Sequence, residues 1–169
     1  MKKRFPKKIL AFTLALVLLL ALGAPALAEY KNPAMVSPQS LTVDGKTIDC
    51  EKYNIDGRNY FKLRDLAQLL NGTNSQFDVN YEEGTNTAVI TTNHAYTTPN
   101  GTELAVAADQ SATAVLTPQT VKIDDVVRTD LTAYNIGGNN FFPLVELGKL
   151  LNFDVDYDAV GRAMLVTTK

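Results

Sequence analysis

Few residues in this chain of 169 could do chemistry, and their scarcity narrows the options. His94 is the only imidazole and Cys50 the only thiol, so a Ser-His-Asp triad or a Cys-His pair would have to be assembled around those single groups. His94 falls at the end of an expected strand beside a turn, where a capping or solvated role outweighs that of a catalytic base with no visible partner. Cys50 reads as a small buried side chain on a strand. The alternative for an odd thiol in an exported chain is an intermolecular disulfide. Asp154, Asp156 and Asp158 alternate, and paired acids can hydrolyse glycosides. Phe153, Val155 and Tyr157 occupy the other face of the same stretch, however, which is the pattern of an ordinary amphipathic strand with a solvated side. No Asp-rich loop with a distal Glu is present to hold Ca²⁺.

Aromatic and basic residues offer a second set of candidates. Tyr53, Tyr60, Tyr81, Tyr96, Tyr134 and Tyr157 could stack on a glycan, although the chain has no Trp, the residue with the largest stacking face. Most of them sit at repeated positions, which favours a core role. Lys62, Arg64 and Asp65 are replaced in the second half by Pro143, Val145 and Glu146, so they read either as a binding edge peculiar to the first half or as a solvated helix start. The residues retained for a binding surface are Tyr60, Lys62, Arg64 and Tyr96. No cofactor, metal site or catalytic residue is expected.

The elements that position these residues follow from an internal repeat, which is sought before local structure. Ala34 to Asp44 aligns with Ala114 to Asp124, Tyr53 to Phe61 with Tyr134 to Phe142, and Leu66, Leu69, Leu70 and Asn71 with Leu147, Leu150, Leu151 and Asn152. After an insertion at Gly72 to Gln76, Phe77 to Tyr81 aligns with Phe153 to Tyr157, and Ile90 to Thr92 with Val166 to Thr168. So many identities in one order indicate a duplication. Asp44-Gly45, Asp56-Gly57 and Gly137-Gly138 stand between β-formers and supply the positive φ of tight hairpins; Asp124-Asp125 is the weaker substitute. The period then changes from two to 3.6, with Leu63, Leu66, Ala67 and Leu70 on the apolar face of one helix and Leu144, Leu147, Gly148 and Leu151 repeating the pattern in a second.

This pattern predicts an α+β fold of two tandem β-rich repeats, each with hairpins, one helix and a further hairpin, packed together because units this small are marginal alone. Repeat 1 covers 34–93 and repeat 2 covers 114–168, joined by a connecting segment, 94–113. In the connector, Pro99-Asn100-Gly101 marks a turn, with Tyr96 to Thr98 and Glu103 to Ala107 as possible strands.

Residues 1–28 are set apart by composition. A basic start, an apolar run from Ile9 to Gly23 and Ala26-Leu27-Ala28 form the three-part layout of a secretory signal peptide, shorter than the roughly 20 residues of a spanning helix. The segment holds five of the 16 basic residues and none of the 18 acidic ones, leaving 11 against 18, a net −7, after it. Such a product is a poor partner for nucleic acid and is expected to be secreted or wall-associated, with no stable membrane insertion after cleavage.

The stretch Tyr53 to Ala67, with Phe142-Pro143-Leu144 and Phe153 to Tyr157, resembles the copper amine oxidase N-terminal-like "stalk" domain, a module of exported bacterial proteins that is often duplicated. The resemblance implies a non-catalytic α+β accessory module of the cell envelope. The oxidase chemistry of that family lies in a separate domain with three His ligands and a Tyr-derived quinone, and one His cannot build that centre. Val145 departs from the Arg common at its place in the family. The expected function is a non-catalytic binding or scaffolding module whose partner is a cell-wall glycan or an envelope protein. Glycan binding or a small carboxylate-dependent glycan hydrolase is the alternative.

Overall fold

A computed structural model describes residues 31–107 and 112–169. The segment read as a signal peptide, and part of the connector, lie outside the described residues. Among the described residues the fold is α+β, rich in strands, with two short α-helices. The first half runs β1 (Lys31–Val36), β2 (Ser40–Val43), β3 (Lys46–Ile48), β4 (Lys52–Ile55), β5 (Arg58–Lys62), α1 (Leu63–Leu70), β6 (Phe77–Glu82) and β7 (Thr87–Thr92). The second half repeats the order as β8 (Ala112–Leu116), β9 (Thr120–Ile123), β10 (Val126–Arg128), β11 (Tyr134–Ile136), β12 (Asn139–Pro143), α2 (Leu144–Leu151), β13 (Phe153–Asp158) and β14 (Ala163–Thr168).

The turn chemistry is local and follows the side chains. Asp56 and Gly57 take φ of 50° and 79°, as a two-residue hairpin of the mirror-image type requires. Asp124 and Asp125 adopt the same left-handed pair, at 48° and 65°, without a glycine. The first Asp of that turn has a second task. Asp124 accepts hydrogen bonds from Thr92 N (2.9 Å) and Thr92 Oγ1 (2.7 Å), and Asp44 accepts the same pair from Thr168, both at 2.9 Å. Those Thr92 bonds hold the Asp124 carboxyl below its ordinary value.

Each of these clamps joins one half to the other. The β2–β3 hairpin pairs with β14, in parallel, and the β9–β10 hairpin pairs in parallel with β7. The two outer sheets, in the orders β13-β14-β2-β3 and β10-β9-β7-β6, are therefore each built half from one repeat and half from the other. Strands are thus exchanged between the two halves rather than kept within each.

The remaining strands close a six-stranded barrel in the order β1-β4-β5-β12-β11-β8. Phe61 pairs with Phe142, its repeat equivalent, and the flanking pairs Lys62–Phe141 and Tyr60–Pro143 are reciprocal about it. Pro33–Thr113 is the matching centre of the β1–β8 pair. A local two-fold axis thus crosses the barrel between these two points. Its interior holds Tyr53 edge-on to Phe141, with ring centroids 5.1 Å apart, and Tyr60 edge-on to Tyr134 at 5.4 Å. These two contacts occupy equivalent positions, in an arrangement that aromatic quadrupoles favour.

A second apolar core lies under the helices. α1 packs on β6 and on β5 and β12 of the barrel, and α2 on β13 and the same two strands. Leu66, Ala67 and Leu70 of α1 and Leu147 of α2 are fully enclosed. At Gly148 the approach is closest: an added Cβ would lie 2.8 Å from Phe153 O and 2.9 Å from Val155 Cγ2. In an open helix Gly→Ala would gain about 1 kcal/mol of propensity, whereas overpacking against backbone costs typically 1–3 kcal/mol. Gly148→Ala is accordingly expected to lower stability by about 1 kcal/mol, read by urea unfolding. A gain would show that α2 stands further from β13.

Candidate functional site

The four residues expected at a binding surface are engaged in the structure's own contacts. Tyr60 is a correction: it is 4% exposed and fills the barrel against Tyr134, because strand alternation turns it inward. Lys62 is also buried, its Nζ 3.1 Å from Glu51 Oε2 and 3.6 Å from Asp65 Oδ2, and it donates to Ala105 O at 3.0 Å. Arg64 Nη1 donates to Tyr96 Oη (2.9 Å) and Thr98 O (2.7 Å). Tyr96 is 6% exposed, with its Oη donating to Glu103 Oε1 at 2.7 Å. Lys62, Arg64 and Tyr96 do come together, but in a network that fastens the connector.

Other groups complete that fastening. Asn71 Oδ1 accepts from Tyr96 N, Asp78 accepts from Thr97 N and Oγ1, and Asp65 Oδ1 accepts from Leu104 N. So held, residues 93–107 form no strand, and the expected connector hairpin is absent among the described residues. Burial raises the Asp65 carboxyl, with the Leu104 amide and Lys62 opposing. At Asp78 burial is outweighed by the Thr97 bonds, which hold the carboxyl low.

The remaining sequence candidates are placed as follows. His94 is exposed, with Nδ1 2.9 Å from Thr92 O. Cys50 is 3% exposed, and burial pushes its thiol up to about 11, which leaves it unreactive. Asp154, Asp156 and Asp158 stand on an exposed face, Asp154 paired with Lys169 at 3.0 Å. Among the described residues no three His, Cys, Asp or Glu side chains cluster as metal ligands would, and no helix is long and apolar enough to cross a membrane.

A concavity lies where the two halves meet, with Lys62, Arg64 and Asp65 among its lining. It is a groove of about 710 Å³ walled by the start of α1, by β6 and its following turn, by the connector, and from the other half by residues 115–119 and the β11–β12 hairpin. Its polar side chains include seven carboxamides, beside the half-exposed Tyr81. Tyr81 Oη donates to Asn86 Oδ1 (2.7 Å), Asn140 Nδ2 to Gln119 Oε1 (3.0 Å), and Thr102 N and Oγ1 to Asn100 Oδ1 (2.9 and 2.7 Å). In all three of Asn86, Gln119 and Asn100 the amide oxygen is thereby taken. Their NH₂ groups have no protein acceptor among the described residues, so the groove presents fixed, uncharged donors.

A second groove, of about 540 Å³, uses the equivalent positions around the two-fold: Leu144 to Glu146, Val155 to Tyr157, Gln39, and Gly57 to Asn59. It shares no lining residue with the first. In comparison with known proteins, no family model matches the chain, and no curated protein or solved structure is significantly similar to it.

Tyr81 is one of the six Tyr that the sequence offers for stacking on a glycan, and the residues that sequence reasoning missed are the amides. Phe77-Val79-Tyr81 reads as one inward face, yet burial fades along the strand and Tyr81 is 47% exposed. The signal for the amides was present: Gln39 and Gln119, Asn54 and Asn135, and Asn59 and Asn140 are polar identities between the repeats. A polar identity is not explained by an apolar core.

Two tests follow from the connector network. Lys62→Met keeps bulk but leaves Glu51 and Asp65 as buried unpaired acids, and is expected to cost about 3–5 kcal/mol, measured by chemical denaturation. At Glu103, burial is outweighed by bonds from Asn100 N, Tyr96 Oη and Gly101 N, which hold the carboxyl at about 2 instead of 4.5. A depressed folded value gives stability that is complete above the unfolded value and is lost as pH falls through the folded one. Glu103→Gln should therefore be less stable than wild type at neutral pH, with the difference shrinking between about pH 4.5 and 2. Thermal melts across that window check this, and a constant gap would refute it.

Proposed function

We propose that this chain is a non-catalytic binding module of the cell envelope, exported by its N-terminal segment, and that the amide-lined groove takes a glycan. The observation that carries the reading is the set of NH₂ donors whose own oxygens are already bonded, standing beside an exposed Tyr ring. Sugar hydroxyls, ring oxygens and acetamido carbonyls are acceptors suited to such donors, and the C–H face of a pyranose suits the ring of Tyr81. Fixed amides meet these groups with little ordering cost, the condition under which modest hydrogen bonds add up to affinity. The groove volume of about 710 Å³ is that of an ordinary ligand site.

The resemblance of Tyr53 to Ala67 to the stalk family supports the envelope assignment, as does the three-part layout of residues 1–28. The recurrence of elements in one order supports the duplication. In this reading the chain turns over no substrate: its one imidazole is solvated and its one thiol is buried.

The test is calorimetry of residues 29–169 with soluble oligomers of N-acetylglucosamine and of glucose. Saturable binding is expected, weakened about tenfold or more by Tyr81→Ala, the equivalent of roughly 1.4 kcal/mol. Absence of binding to both series, or retention on wall preparations that depends on a protein component, would overturn the glycan reading.

A further inference from the structure

We propose that the second groove is a second glycan site, so that one chain joins two glycan strands. This rests on the glycan reading of the first groove and extends it.

The argument starts from what the two-fold preserves. Gln119–Asn140–Asn135 in the first groove has its counterpart in Gln39–Asn59–Asn54. Asn140 Nδ2 donates to Gln119 Oε1 while Asn140 Oδ1 accepts from Asn135 Nδ2 (2.9 Å). Asn59 Nδ2 donates to Gln39 Oε1 while Asn59 Oδ1 accepts from Asn54 Nδ2 (3.4 Å) and Ser37 Oγ (2.9 Å). Each relay is anchored at its far end by the amide of a turn glycine, Gly138 N to Asn135 Oδ1 and Gly57 N to Asn54 Oδ1. In both, the terminal Gln keeps an NH₂ with no protein acceptor among the described residues. A hydrogen-bonded chain of three amides is more than strand pairing needs, and it orients the same donor on the wall of both grooves. Tyr81 and Tyr157, also equivalent, are each 47% exposed.

What the two-fold does not preserve sets the difference between the sites. Val145 and Asp156 stand in the second groove where Arg64 and Asn80 stand in the first. Arg58 and Glu146 close an ion pair there at 3.0 Å. The connector that walls the first groove lines no part of the second. The second site is thus more acidic, with fewer fixed amide donors, and is the weaker for an acetamido glycan. Because the lining residues are disjoint, both grooves can be filled at once, and the chain becomes a divalent cross-link with the avidity that follows.

The experiment is calorimetry of residues 29–169 with a soluble N-acetylglucosamine oligomer, on wild type, Tyr81→Ala, Tyr157→Ala and the double variant. Turbidity with a long soluble polymer of the same sugar is followed alongside. Both Tyr positions are half-exposed, and unchanged thermal melts establish that the variants fold. Two sites per chain are expected, with one remaining in each single variant and none in the double. Turbidity is expected with wild type alone. A stoichiometry of one, lost in Tyr81→Ala and intact in Tyr157→Ala, overturns this inference and leaves the first site standing. Two sites that survive Tyr157→Ala overturn it as well. No binding by wild type overturns the glycan reading itself and, with it, the second site.

Discussion

The exchange of hairpins between the two halves is the constraint on which the rest of the structure depends. Leu41 pairs with Met164 and Ala88 with Val121, so neither outer sheet exists without strands of both halves. A repeat of this size would bury too little surface to be secure by itself. Exchange solves that by making one continuous apolar core under both helices from residues of both halves. It also creates the grooves, because Gln119 and Asn140 reach α1 and β6 only through the exchanged β9 and the shared barrel. The barrel, in turn, is closed at two places by equivalent strands meeting each other.

Against that symmetry the connector is the main departure. It lies against the first helix and β6, and Lys62, Arg64, Asp65, Asn71 and Asp78 all turn toward it. This accounts for the replacement of Lys62 and Arg64 by Pro143 and Val145, where no described residue of the connector needs holding. The buried Lys62 with its two acids is stable only as a set, since each charge taken from water depends on its partners for compensation. What looks from the sequence like a basic binding edge is an internal fastening.

Much of the local structure was legible in advance. The turn pairs, the helix faces at Leu63 to Leu70 and Leu144 to Leu151, and the α+β class follow from backbone sterics and periodicity acting over a few residues. The exchange was not, because a strand that pairs in parallel with a distant partner has the same alternation as one that pairs nearby. Tyr60 was misjudged for a related reason: a closed barrel has an inside that period-two patterning cannot distinguish from a sheet surface. Arg64 gave a real signal, its difference between copies, but its partners at Tyr96 and Thr98 lie in a segment with no periodicity. The amides were in plain view as identities between the repeats, and only their positions around a groove give those identities a use.

The interleaving also has a consequence in time. A chain synthesised from its N-terminus makes β2 early and must wait for β14, its last strand, before the sheet holding β2 can form. Long-range pairings of this kind are slow to form. The barrel cannot close until Asn139 to Pro143 has emerged, and until Ala163 to Thr168 has emerged the β2–β3 hairpin has no partner strand in its sheet. The topology acts as a clock that postpones completion of the outer sheet until the whole chain is present.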